Sequence, residues 1–240
     1  MAKQSGLGSR FLVGGFDLSG DINALSSIAG TMAPIDATDI TQSAHSRIPG
    51  LRDGNMAFTS FFDAANAHPV LSALPTADVL MSYLVPPLVV GSPVACVNAK
   101  QVSYNGTRGN AGDLMFTVEG QANGFAEEWC LSLTPGIRAD TAATNGADLD
   151  GGAATTFGAQ AYLQVTQFTG SSATITVQHS PDNATWSTLA AFAAVDAAPD
   201  TQRIAVAGSV DRFTRVISAG TFTSLQFAAF LDRNPVATAF

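Results

Sequence analysis

Residues 161–178, AYLQVTQFTGSSATITVQ, decide the fold class. Ala161, Leu163 and Val165 alternate with Tyr162, Gln164 and Thr166; further on, Ile175 and Val177 alternate with Thr174, Thr176 and Gln178. A period of two sends one set of side chains to a covered face and the other to the opposite face, as in a half-buried antiparallel strand. The same period recurs along the chain. Leu225 and Phe227 alternate with Ser224, Gln226 and Ala228, and Leu114, Phe116 and Val118 with Met115, Thr117 and Glu119. Met56, Phe58 and Phe62 fall on one strand face, Ala57 and Thr59 on the other. Pro49-Gly50, Asp53-Gly54, Asn105-Gly106 and Pro181-Asp182-Asn183 read as turns between strands. One segment, Asp63–Leu74 (DAANAHPVLSAL), reads as helical, with Pro69 opening a short helix near residues 68–74. The expected class is all-β with one short helix.

Composition narrows the function. The chain has 240 residues, enough for one large domain or two ordinary ones. Apolar residues are 46% of it and charged residues only 12%, which excludes a disordered acidic tail, a coiled coil or a collagen-like chain. The longest clean apolar stretch, Val85–Val90, is far short of a membrane span, so no membrane partner is expected. Met1–Arg10 has no hydrophobic signal region. Nineteen acids face eleven bases, a net charge of -8. That balance argues against a groove that grips nucleic acid by neutralising phosphates, and leaves room for a surface to which DNA does not stick. The charge is uneven: residues 1–150 hold 14 acids and 7 bases, residues 151–240 hold 5 and 4. Scarce charge and forty alanines suit a surface that lies against neighbouring subunits, as in an assembly protein.

The segment 140–154 (DTAATNGADLDGGAA) is small, polar and without apolar period, so it reads as a linker. The resulting division is an N-terminal arm over residues 1–10, a β domain over 11–139, the linker, an antiparallel β-sandwich over 155–233, and a C-terminal arm over 234–240.

Candidate chemistry is sparse. Cys96 and Cys130 are too few for a zinc site or a disulfide scaffold and read as buried thiols. His45, His68 and His179 are not at metal-ligand spacing; His179 shares a strand face with Ile175 and Val177 and reads as a partly buried core residue. No Gly-x-Ser-x-Gly elbow occurs. Glu127 and Glu128 are adjacent, so on a strand they point to opposite faces and cannot flank one bond. Asp148, Asp150 and Gly151 faintly resemble a calcium loop but lack its twelfth-position ligand. Val13-Gly14-Gly15 lacks the lysine and helix of a phosphate loop. No catalytic constellation, cofactor or metal is expected.

Two stretches carry a resemblance. LVGGFDLSGDINALSS and IDATDITQSAHSRIPGLRDGNMAFTSFFD, within residues 12–63, lead from a short strand through a loop ending Arg-Ile-Pro-Gly-Leu-Arg-Asp-Gly to an alternating aromatic strand. Together with AKQVSYNGTRGNAGDLMFTVEGQANGFAEEW (99–129), they resemble the tail tube (major tail) proteins of long-tailed bacteriophages. Residues 157–232 resemble a β-sandwich module appended to phage structural proteins. The resemblance implies a two-sheet tail-tube-like β-barrel or sandwich followed by the C-terminal β-sandwich. It implies rings, here expected to be hexameric, that stack into a tube through loops and arms. Double-stranded DNA would pass through the lumen without specific contacts. The implied partners are further copies of the chain and the tape-measure, tail terminator and distal tail proteins, in a virion tail assembled in the host cytoplasm. On this reading the loop Gln42–Gly54 contacts a neighbouring subunit, with Arg47 and Arg52 as ion-pair donors. The expected interface residues are Lys3, Arg10, His45, Arg47, Pro49, Leu51 and Arg52, the arm Lys3–Arg10 ordering on assembly. The competing reading is a capsid decoration or tail-tip protein whose β-sandwich binds carbohydrate, which requires Tyr162, Trp186 and Phe222 to form an exposed platform. A carbohydrate-active enzyme would need an acid pair about 5–10 Å apart in a cleft, and the sequence offers none.

Overall fold

The structure is a computed structural model and describes residues 5–236. In chain order the elements are β1 (Arg10–Val13), β2 (Phe16–Asp17), β3 (Ile22–Asp36), β4 (Arg47–Phe61), α1 (Ala67–Leu71), β5 (Val79–Leu84), β6 (Pro93–Arg108) and β7 (Leu114–Ala122). They continue with β8 (Glu128–Ser132), β9 (Arg138–Asp140), β10 (Thr144–Asn145), β11 (Leu149–Asp150), β12 (Ala159–Ser180), β13 (Ser187–Ala191), β14 (Asp200–Val206) and β15 (Phe213–Arg233). The chain is all-β with one short helix, and its pairing is antiparallel throughout the registers below, in open sheets rather than a closed barrel.

Two compact units emerge, and both are discontinuous in sequence. The larger comprises Met1–Gly20, Val79–Cys96 and Trp129–Phe240; the smaller comprises Asp21–Asp78 and Val97–Glu128. This division differs from a cut at residues 140–154. The supposed linker runs along β15: Thr144 pairs with Ser218 and Leu149 with Thr214. Two-residue strands contribute backbone hydrogen bonds and no apolar stripe, so side-chain periodicity does not register them. A buried ion pair pins the start of this run. Arg138 grips both oxygens of Asp140 (2.8 and 2.7 Å), Ser218 Oγ donates to the same carboxylate, and the guanidinium lies over the Phe227 ring.

In the larger unit β12 and β15 pair from Ala159–Arg233 to Ser180–Phe213. The register shifts around Thr169–Ser172, where Gly220 has a positive φ of 124° and lies against the Ser172 carbonyl. A side chain there would collide with backbone. β14 and β13 pair successive parts of β12. Ala161, Leu163 and Val165 join one core with Ile175, Val177, Leu225 and Phe227. The alternate residues are buried too. Tyr162 enters a second core with Leu12, Leu80, Cys96, Cys130 and Phe230; both cysteines are free thiols. Tyr162 and Gln164 are fully buried, against the expectation of an outward polar face. Their polar atoms have partners inside. Arg203 Nε donates to Tyr162 Oη (3.0 Å). Gln164 Oε1 accepts from the Gly15 amide (2.8 Å), and Nε2 donates to the Leu80 carbonyl and Ser82 Oγ (3.0 Å each).

The smaller unit is a sheet in the order β3–β4–β7–β6, its β6 portion starting at Val97. Met56, Phe58, Ser60, Val118 and Gly120 are buried on one face. α1 is tied to the residues of this face. Gln101 Nε2 donates to the Leu71 carbonyl at the helix end (2.6 Å), and His68 Nδ1 meets Tyr104 Oη (2.9 Å) within a cluster that includes Phe62 and Phe116. Asp63 Oδ1 accepts the Ala65 and Asn66 amides just before the helix, and Pro69 lies in its first turn, where no amide donor is needed. Three of the four turn signals prove to lie inside strands: Pro49-Gly50 and Asp53-Gly54 in β4, Asn105-Gly106 in β6. These glycines serve close approach. A Cβ on Gly54 would sit 2.6 Å from the Glu127 amide nitrogen, and one on Gly106 would meet the Phe116 ring at 2.7 Å.

The Gln164 side chain generates a stability prediction. Gln164→Leu leaves the Gly15 amide and the Leu80 carbonyl without their side-chain partner. The Leu80 carbonyl keeps the Gly14 amide, so the Gly15 amide is the group left stranded; that costs on the order of 1–3 kcal/mol, and urea unfolding should show a loss of about 2 kcal/mol. A loss under about 0.5 kcal/mol, ordinary for a surface change, would contradict a structural role for these bonds.

Candidate assembly surface

The β3–β4 hairpin divides into two halves. Its inner half is a sheet interior: Asn55–Phe61 of β4 pair with Gln121–Met115 of β7. Its outer half, residues 30–36 and 47–54, pairs only with itself among the described residues. Residues 31–49 are exposed apart from a half-buried Ser46. Ile35 and Ile48 are cross-strand partners and both are about half exposed; Met32 is similar, Leu51 is 89% exposed, and Ile40 at the tip is fully so. A two-stranded ribbon has no third layer in which to bury such side chains, and exposed apolar groups gathered this way make the outer hairpin a candidate contact surface.

The tip itself is well built. Asp36 Oδ1 accepts from the Thr38 amide (2.9 Å) and hydroxyl (2.5 Å), and Asp39 Oδ1 does the same for Thr41 (2.8 and 2.5 Å). These are Asx turns, in which a short side chain replaces a backbone turn bond. The Thr38 and Thr41 hydroxyls, then their amides, hold the two carboxyls below the usual carboxylate range. His45 Nδ1 lies 3.2 Å from Asp36 Oδ2.

The expected interface residues fall into three groups. Lys3 lies outside the described residues. Arg10 opens β1 and pairs with Asp17 of the neighbouring strand (2.7 Å), so it is engaged within its own unit. His45 belongs to the tip, and Arg47, Pro49, Leu51 and Arg52 lie on the outer half of β4, a strand where a loop was expected. Arg47 and Arg52 make no side-chain hydrogen bond or ion pair among the described residues. Sequence reading missed Met32, Ile35, Ile40 and Ile48, because prolines and glycines nearby masked the strand period.

It also missed a second feature. By register, Ser27, Ala29 and Thr31 of β3 share a face with Asp53, Asn55, Ala57 and Thr59 of β4 and Thr117, Glu119 and Gln121 of β7. Part of it forms a shallow groove of about 290 Å³. This face carries polar and small side chains; its charges are Asp53, Glu119 and, at the β6 end, Lys100, which pairs with Asp78 (2.7 Å). The alternation of Thr117, Glu119 and Gln121 with Phe116 and Val118 was the available signal.

The carbohydrate platform does not form. Tyr162 is fully buried and Phe222 nearly so, while the Trp186 ring is covered by the Arg215 guanidinium at 4.1 Å. Nor do Asp148 and Asp150 face one ligand: Asp148 accepts from Asn183 (3.0 Å), and Asp150 is held by Arg212, whose bonds keep its carboxyl down at about 2.

No family model matches the chain, and no curated protein is significantly similar to it. Among solved structures it is similar to the Dit (gp 19.1) protein of SPP1, described as a paradigm of the hub adsorption apparatus in phages infecting Gram-positive hosts. The identity is 10% and the TM-score 0.34, over 93% of this chain and 98% of that chain.

The tip chemistry sets a pH dependence. Asp39 has a lowered pKa, so its turn is intact above the ordinary carboxylate value of about 3.9 and loosens only as pH falls through the lowered one. The carboxylate-dependent change in the Thr41 amide NMR shift should have its midpoint well below about pH 5. A midpoint above about pH 5 would contradict the carboxylate anchor.

Proposed function

We propose that this chain is a structural protein of a long-tailed phage tail, whose copies form rings that stack into the tail tube through which the genome passes. The observation that carries the reading is the pairing of two features on one small sheet: an uncovered outer hairpin with apolar side chains and a broad polar face almost free of cations. Copies arranged in a ring remove exposed strand edges. The free edge of β3, which among the described residues pairs only with β4, is the one that ring closure would satisfy. The polar face then lines the channel. Asp53 and Glu119 repel phosphates, and the Ser, Thr, Asn and Gln side chains beside them give passing DNA no counterion-releasing grip. The motif order described above supports the same reading.

A hexameric ring is the expected state. Tape-measure, tail terminator and distal tail proteins are the partners that a stacked tube requires, and the virion tail is the expected location. Non-enzymatic function accompanies this reading, since the carboxylates and histidines described above are engaged in structural contacts.

The test is negative-stain microscopy of purified protein at rising concentration. The expected outcome is rings that stack into tubes with a central hole of about the 20-Å scale of a DNA duplex, estimated from its groove dimensions. Rings that never stack would place the chain at a tail end. A monomer or trimer without a hole at every concentration would overturn the proposal.

A further inference from the structure

The chain holds three Asn-Gly dipeptides, at residues 105–106, 123–124 and 145–146. An asparagine before glycine carries its own electrophile and nucleophile: the side-chain carboxamide carbon and the backbone nitrogen of the next residue. Glycine has no Cβ to obstruct their approach. All three asparagines are exposed, so exposure does not distinguish them. The backbone does. The nitrogen reaches the carboxamide only when it is free of its own hydrogen bond and the chain can rotate out of an extended form, which in a sheet requires local opening.

Two of the three are held in sheet. Asn105 and Gly106 sit in the β6–β7 ladder opposite Thr117 and Phe116, with the Phe116 ring close against Gly106. Asn145 pairs with Ile217 of β15, and the Gly146 amide donates to the Val216 carbonyl (2.9 Å). Asn123 and Gly124 differ. They follow Ala122, the last residue of β7. Gly124 is exposed, and its amide donates no hydrogen bond among the described residues. A Cβ built on it would meet nothing within 4 Å. The Asn123 amide is anchored on the Asn98 carbonyl (2.9 Å), which fixes Asn123 and not the nitrogen that follows it. Its carboxamide is held by a solvent-exposed bond, Nδ2 to Asp78 Oδ1 (2.9 Å).

We propose that Asn123 is a site of spontaneous deamidation, and that its product weakens the cluster around Asp78. The Gly124 nitrogen attacks the Asn123 carboxamide carbon. A C–N bond forms, the attacking nitrogen gives up its proton, and the side-chain nitrogen leaves as ammonia. Water then opens the cyclic imide at either carbonyl, giving aspartate or isoaspartate. Water is the one co-reactant, and no electrons are transferred. Either product puts a carboxylate where an amide donor stood. Asp78 collects donors from β6 and from the residue after β7: Asn98 Nδ2 (3.1 Å), Lys100 Nζ (2.7 Å) and Asn123. Exchanging one of these donors for a like charge turns an attraction into a repulsion. It does so beside the point where Ala99 pairs with Ala122.

Peptide mapping by mass spectrometry tests the site. The full chain is incubated at mildly alkaline pH, folded and in urea, then digested in acid. In the folded protein Asn123 should convert at least about tenfold faster than Asn105 or Asn145, the factor that an opening cost of about 1.4 kcal/mol imposes on the two strand sites. In urea the three should convert at similar rates. Asn105 or Asn145 keeping pace with Asn123 in the folded protein, or no conversion at Asn123, would overturn the assignment. A lead for Asn123 that persists in urea would trace the selectivity to sequence neighbours and overturn it as well. Asn123→Asp makes one product directly, and its urea midpoint should fall below that of the parent chain. An unchanged midpoint would show the Asp78 cluster indifferent to the added charge and overturn the second half of the proposal.

Discussion

The antiparallel pairing of β12 with β15 is the constraint on which the larger unit depends. Its register fixes where everything else attaches. Along β12 the outer edge is taken first by β14 and then by β13. Along β15 it is taken by β10 and β11, then β9, then β8. A one-residue slip between the long strands would exchange Leu163 and Val165 with Tyr162 and Gln164. It would then drive a glutamine amide into the aliphatic core and a leucine into the site of three hydrogen bonds. The buried polar residues therefore specify the register as strongly as the apolar ones do: each face of β12 accepts only its own set.

This explains what the sequence could and could not say. Strand positions were legible wherever one face packs on a core and the other meets water, as at Phe116–Glu119 and Ile175–Gln178. The all-β class followed from that, and the short helix from the segment Asp63–Leu74 with its Pro69. Tyr162 and Gln164 looked like an outward face because periodicity counts polarity and cannot see that Arg203, Gly15, Leu80 and Ser82 await them. The unit boundaries were illegible for a related reason. Segments distant in sequence, such as β1, β5 and β12, share a core, so a cut at a compositional break misses how the chain is partitioned.

The outer hairpin stood out by residue and not by shape. Arg47, Pro49, Leu51 and Arg52 stood out as a group, yet Pro49-Gly50 and Asp53-Gly54 read as turns because those dipeptides usually bend a chain. In β4 they keep it extended. Gly54 lets Glu127 lie directly on the strand, and Gly50 accommodates the Ala33 carbonyl opposite. Glycine here is selected for the absence of a Cβ, not for a left-handed φ, and a dipeptide pattern does not distinguish the two uses.

The prolines of the hairpin carry this argument one step further. Pro34 and Pro49 lie opposite each other across β3 and β4. Neither has an amide to donate, so the ribbon's middle is a poor template for adding a further strand along either edge. The inner stretch of β3, Ile22–Thr31, has no such block. The two halves of one hairpin are therefore suited to different kinds of contact. The inner edge can extend a sheet through backbone hydrogen bonds, while the outer half is limited to side-chain contact. That is the part on which Met32, Ile35, Ile48 and Leu51 are exposed. An edge able to pair along its full length would aggregate indiscriminately. Backbone pairing is thus open to the inner stretch alone, and apolar contact to the outer one.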